Sequence, residues 1–204
     1  MERPGFAAAI GSASAVVALL ALTGAIDASI IVVALLCVAV RASAAALSGS
    51  PLALNRAAVS VLPFAALAAV AVWRAGAASL YAIRGANAIL GAAAFTAPAS
   101  RAIATMLAAI AVAVVTAAQS VALREPPPIA RLLDRIGVLI AALLIATAIG
   151  GPDVDHARSI IAWTVGVVAA LLVIRATESL ATHPRMRTLA WSLAGIAVVI
   201  GAIR

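Results

Sequence analysis

Residues 102–123 read AIATMLAAIAVAVVTAAQSVAL, twenty-two residues bounded by Arg101 and Arg124 with no charge between them. A helix needs about 17–25 predominantly apolar residues to cross the hydrocarbon core of a bilayer. Residues 102–123 meet that requirement, and the run is too long for a strand. Similar runs recur along the whole chain. The sequence predicts spans over residues 6–22, 26–47, 57–73, 102–123, 132–149, 160–174 and 188–203. A further apolar stretch, residues 77–97, is interrupted by Arg84 and Asn87 and reads as an interfacial or re-entrant helix. The expected fold is therefore all-α: a polytopic transmembrane bundle of about seven spans plus that extra helix, built as a single integral membrane domain over residues 1–204.

Composition points the same way. The chain is 66% hydrophobic and 10% charged with a mean hydropathy of +1.20, whereas soluble domains are about 45–50% apolar and about 25% charged. Too little polar material is present to coat a soluble surface. No strand-length alternation of polar and apolar residues supports a membrane β-barrel. The basic residues are fourteen arginines with no lysine, against seven acids, and alanine fills 58 of the 204 positions. Arginine without lysine in an alanine-rich chain suggests a GC-rich bacterial source. These arginines stand singly between apolar runs, a pattern that orients helices and meets anionic lipid rather than nucleic acid. Cys37 is the single cysteine, so no internal disulfide forms, and it reads as a small packing residue.

Orientation follows from the arginines. With seven spans and a cytoplasmic N-terminus, Arg3, Arg41, Arg56, Arg124, Arg131, Arg135, Arg175, Arg185 and Arg187 lie inside. Arg74, Arg84, Arg101, Arg158 and Arg204 lie outside. Making residues 77–97 a crossing would reverse most of this balance. The expected location is the bacterial inner membrane, multi-pass. Trp73, Trp163 and Trp191 fall near span ends, where indoles favour the headgroup region. The order span, acidic turn, span, arginine, Pro-led span recurs in residues 6–73 and 132–203. Arg41 then corresponds to Arg175 and Pro51 to Pro184, which would make a parallel three-helix repeat.

Residues that carry chemistry are few. No P-loop, GxSxG, HExxH or CxxC occurs, and neither a cofactor nor a catalytic residue is expected. Asp153, Asp155 and His156 lie close together, but read as a solvated turn. Asp27 reads as an N-cap for the second span. Tyr81, Arg84 and Asn87 are spaced by three along one expected helical face, and an arginine in hydrocarbon costs about 2.5–3.5 kcal/mol. This gives either a polar stripe facing a cavity or partner, or an interfacial helix with its arginine at headgroup depth. Gln119 and Thr116 read as interhelical hydrogen-bonding residues. In the loop from Arg124 to Arg135, three prolines stop one helix and stiffen the connection. Arg131, Asp134 and Arg135 then form a basic edge that a soluble partner could dock on, with Arg131 and Asp134 spaced to pair. Glu178 and His183 precede the last span.

The expected function is a non-catalytic or accessory integral subunit of a larger inner-membrane complex, of the respiratory, hydrogenase-like, secretion or transport kind. The expected partners are the bilayer and other membrane subunits or further copies of the chain. The alternative is a small stand-alone transporter or channel with a cavity near Arg84 and Asn87. A lipid-directed enzyme would need polar groups gathered at one face, for which only Asp134 with Arg131 and Glu178 with His183 qualify. A subunit should lack an internal cavity, whereas a transporter should hold a polar one reaching Arg84 or Gln119.

Overall fold

The computed structural model describes residues 4–84, 99–123, 125–150, 157–180 and 183–202. Its helices are α1 (Pro4–Thr23), α2 (Ile30–Ser48), α3 (Pro51–Val59), α4 (Val61–Ala75), α5 (Ala99–Ala122), α6 (Pro128–Gly150), α7 (Ala157–Glu178) and α8 (Pro184–Ala202). A helical segment also begins at Leu80 and runs to Arg84. Among the described residues the extended structure is limited to one bridge, Ser29 to Ser79.

Six helical stretches are long and apolar enough to span a membrane: Gly5–Thr23, Ile30–Ser48, Pro51–Ala75, Ser100–Ala122, Pro128–Gly150 and Ile160–Glu178. A shorter apolar helix, Thr188–Ala202, follows. The protein is thus a helical bundle of membrane-spanning character. Each expected span has a counterpart, but the third starts earlier than the sequence implied. Asn55 and Arg56 read as loop because they are polar. Yet Ser50 caps this helix by accepting from the Ala53 amide, and Pro51 occupies its first turn, where a missing N–H costs nothing. The break between α3 and α4 has a local cause: Pro63 has no amide to donate to Val59, and its ring crowds the preceding turn.

Hydrogen bonds between helix ends fix the directions. Ser50 Oγ, before α3, donates to the Ala122 carbonyl at the end of α5 at 3.3 Å. At the opposite end, Arg74 of α4 donates to the Ile149 carbonyl of α6 at 3.1 Å. The α3–α4 pair therefore runs antiparallel to α5, and α4 ends at the same face of the bundle at which α5 begins. This parity is that of the seven-span reading. The depth of residues 85–97 lies outside the described residues.

Small residues set the packing. α2, α5 and α6 occupy the centre; α1 packs on α2 and α6, α7 on α5 and α6, and α8 on α4 and α5. Without a hydrophobic effect between helices inside lipid, close backbone approach and dispersion hold such a bundle together. Two glycines mark the closest approaches. A Cβ on Gly11 would lie 2.8 Å from Ser43 Cβ, and one on Gly137 would lie 2.7 Å from Arg41 Cγ. Ile161, Val165, Val168 and Leu172 of α7 are exposed at helical spacing, which makes an apolar outer stripe.

Gly137→Ala should destabilise the bundle, because the new methyl meets a buried arginine stem rather than a free chain end. A loss of about 1–3 kcal/mol is expected in reversible unfolding in detergent, with Gly195→Ala, which meets nothing nearby, as the silent control.

Candidate functional site

The centre of the bundle holds a charged residue. Arg41 lies about two turns before the end of α2 and is completely buried. Its Nε donates to Gln119 Oε1 at 2.9 Å, and its Nη2 donates to the Thr116 carbonyl at 2.7 Å. Gln119 Nε2 returns a bond to the Arg41 carbonyl at 2.8 Å. Arg41 Nη1 lies 3.4 Å from Asp134 Oδ1, an ion pair reaching α6. Ser120 Oγ donates to the same carboxylate oxygen at 3.1 Å. One guanidinium thus ties α2, α5 and α6, and Gly137 provides the space for its stem. Nearby, the buried Cys37 Sγ donates to the Gly137 carbonyl at 3.6 Å, so the cysteine is a packing residue at this junction.

The same end of α5 attracts further donors. Arg56 of α3 donates to the Ala118 carbonyl. Cations near a helix C-terminus also meet the negative end of its dipole. Arg41, Arg56 and Ser50 together dress the last two turns of α5 with donors from α2 and α3.

In front of this network, a pocket of about 290 Å³ opens where α5, α6 and α7 meet. From α6 come Arg131, Asp134, Arg135 and Val138, spaced i, i+3, i+4 and i+7 along one face. α7 contributes Arg175 and Glu178, while Ser120, Val121, Leu123 and Pro126 complete the wall. Arg175 and Glu178 pair at 2.7 Å. Asp134 therefore stands between the buried Arg41 and the pocket, with 15% of its side chain accessible. This corrects one expectation: Asp134 pairs with Arg41 and Ser120 rather than with Arg131, which faces outward from α6 into the pocket region. The helix restarts at Pro128, close to the Ile129 that the prolines imply, so Asp134 sits inside α6.

The opposite face is held by a different set. Arg84 Nη2 donates to the Ala21 and Leu22 carbonyls at 2.9 and 2.8 Å, closing the C-terminal end of α1. Gly24 has φ +90°, and a Cβ there would meet Arg84 Nη1 at 2.8 Å, so this turn needs glycine on both counts. Asp27 accepts from Ser79 Oγ at 3.0 and 2.8 Å and from the Tyr81 amide at 3.2 Å. These bonds hold its carboxyl below the ordinary value of 3.8. Ser29, not Asp27, caps α2, through the Ile31 amide. Asp27 instead caps the helical segment that begins at Leu80, because the Ser29–Ser79 bridge brings that start alongside.

Tyr81 and Arg84 do not share a face. Tyr81 is 77% exposed whereas Arg84 is 8% exposed, so the expected stripe is divided. Asn87 lies outside the described residues, as do Asp153, Asp155 and His156. Gln119 is brought together with Asp134 through Arg41, and Arg131 and Arg135 line the same pocket as Asp134. The residue that sequence reasoning missed is Arg41. Beyond Asp27 at the start, it is the one charge within residues 26–47, and the cost of an arginine in hydrocarbon applies to it as strongly as to Arg84.

Comparison with protein-family profiles, with characterised proteins and with solved structures finds no match.

Arg41→Met should destabilise the bundle by about 3–5 kcal/mol, since it leaves Asp134 and Gln119 without their buried partner. The double variant Arg41→Met with Asp134→Asn should recover part of that loss in the same unfolding experiment. At the other face, protection of the Tyr81 amide in hydrogen exchange should stay constant above the ordinary carboxylate value of 3.8. It should fall as pH drops through the lower value of folded Asp27, because protonation removes the acceptor. Asp27→Asn should abolish that acid-dependent step.

Proposed function

We propose that this chain is a small stand-alone multi-pass transporter of the bacterial inner membrane, with its solute pocket between α5, α6 and α7. The observation that carries this reading is the polar pocket whose wall residues Ser120 and Asp134 bond directly to the buried Arg41–Gln119 network. Binding sites of transporters are commonly concave, mix apolar walls with a few convergent polar groups, and use buried charges that are paired in the absence of solute. The pocket's arginines favour a small anionic solute. The location differs from the cavity expected near Arg84 and Asn87, since Arg84 is committed to the α1 carbonyls. By the balance of arginines, the pocket opens to the cytoplasm and the N-terminus is cytoplasmic. No covalent chemistry is assigned to it.

A second reading, an accessory subunit of a larger membrane complex, rests on the apolar outer stripe of α7, which presents Ile161, Val165, Val168 and Leu172 outward. Such a stripe suits lipid and a partner helix equally.

Reconstituted vesicles separate the two. Uptake of labelled small anions above protein-free vesicles is expected for the wild type, with loss of about tenfold or more in Arg135→Gln, the worth of one charge-assisted contact. Arg84→Ala should retain uptake per folded molecule. Uptake indistinguishable from empty vesicles, together with stoichiometric membrane partners in a mild-detergent pull-down, would replace this reading by the subunit one.

A further inference from the structure

The charges around the pocket can be paired off. Asp134 is matched by Arg41 from behind at 3.4 Å, and Glu178 is matched by Arg175 at 2.7 Å. That leaves Arg131 and Arg135 lining the pocket with no carboxylate in ion-pair reach among the described residues. They lie one turn apart on α6, so their side chains project from the same face. Two unmatched guanidiniums at that spacing carry two positive charges and planar donor forks that fit phosphate oxygens bidentately. Behind them the wall becomes apolar at Val121, Leu123 and Val138. The acidic pair partners also matter: Arg41 and Arg175 offset the repulsion that Asp134 and Glu178 exert on an anion, so the site admits the anion best with both pairs intact.

Resting on the reading that this pocket is the ligand site, we propose that it binds a phosphate monoester group between Arg131 and Arg135. A monoester carries about 1.5–2 negative charges at neutral pH, which matches the two unmatched arginines. A phosphodiester, with one charge, leaves one of them unanswered. The group can arrive as the headgroup of a monoester lipid, with its chains along the apolar wall and out into the bilayer, or its place can be taken by inorganic phosphate, which offers the same terminal oxygens and a similar charge. Generic attraction of arginines to an anionic leaflet is worth about 1 kcal/mol per residue and does not distinguish the two headgroups by site.

The test uses the full chain in nanodiscs of phosphatidylcholine doped with either phosphatidic acid or phosphatidylglycerol at equal surface charge. Bound lipid is counted after extraction into neutral detergent by native mass spectrometry. Phosphatidic acid should be retained about tenfold better than phosphatidylglycerol, the worth of one charge-assisted contact. Arg131→Gln and Arg135→Gln should each remove that preference. Arg185→Gln, an arginine outside the pocket wall, should not, which controls for the loss of one positive charge as such, while unchanged unfolding in detergent shows that each variant is folded. Inorganic phosphate that displaces the retained lipid would make free phosphate a ligand in its own right. Failure to displace it would assign the site to the lipid; both results sustain a monoester site. Equal retention of the two lipids, or equal effects of Arg185→Gln and Arg135→Gln, would overturn the proposal. Monoester binding without uptake into vesicles would remove the transport reading and leave this site standing.

Discussion

Everything at the arginine-rich end of the bundle depends on placing one guanidinium where no water reaches it. Arg41 is fully buried, and a charge so placed is tolerable only if nearly all of its donors are answered and a counter-charge stands close. The structure answers its Nε and Nη2 from α5, with a side-chain amide and a main-chain carbonyl, and sets a carboxylate of α6 3.4 Å from Nη1, which has the counter-charge but no hydrogen bond. This requirement dictates neighbouring choices. Position 137 must lack a Cβ, because the stem of Arg41 passes 2.7 Å from where one would stand. Position 119 must both accept and donate, which an amide does and a carboxylate does not.

A membrane interior makes such an arrangement more consequential than it would be in water. Apolar contacts between helices gain little over contacts with lipid tails, so small residues and shared polar bonds carry the specificity of packing. Alanine-rich helices could slide past one another with small changes in dispersion energy. Arg41, bonded to Thr116, Gln119 and Asp134, fixes the relative height of α2, α5 and α6. Arg84 does similar work at the opposite face. There it anchors the end of α1 to the segment starting at Leu80, and Asp27 with Ser79 holds the same junction from the other side. The two polar clamps lie at opposite ends of an otherwise apolar bundle.

The helices themselves were legible because their signal is long and redundant: each apolar run contains enough residues that one polar interruption does not erase it. Ends were less legible. Asn55 and Arg56 look like loop residues in isolation, but Arg56 finds the Ala118 carbonyl, a partner far away in sequence. Asp27 was correctly read as a cap and assigned to the wrong helix, since the helix it caps starts more than fifty residues later. The spacing of Tyr81 and Arg84 predicted one face, yet these residues sit in the first turn of a segment opened by a bridge to Ser29, and one points out while the other turns beneath α1. The pocket was half legible. Arg131, Asp134 and Arg135 stood out as a charged edge, but their relation to Gln119 required knowing that Arg41 joins them.

The pairing at Asp134 links the fold to the pocket, and it constrains how any ligand acts. Asp134 holds Arg41 on one side and borders the cavity on the other, so a ligand that draws arginines toward itself competes with the bond that fixes α6 against α2. An anion held by Arg131 and Arg135, which face the cavity from successive turns of α6, satisfies charges that the bundle leaves unmatched and asks nothing of Arg41. An anion drawn deeper, toward Arg41, would have to displace the Asp134 carboxylate and loosen three helices together. Differential contact of this kind is what allows a ligand to shift a packing equilibrium. The physical arrangement therefore separates a shallow site, which leaves the fold unchanged, from a deep one, which the fold itself resists.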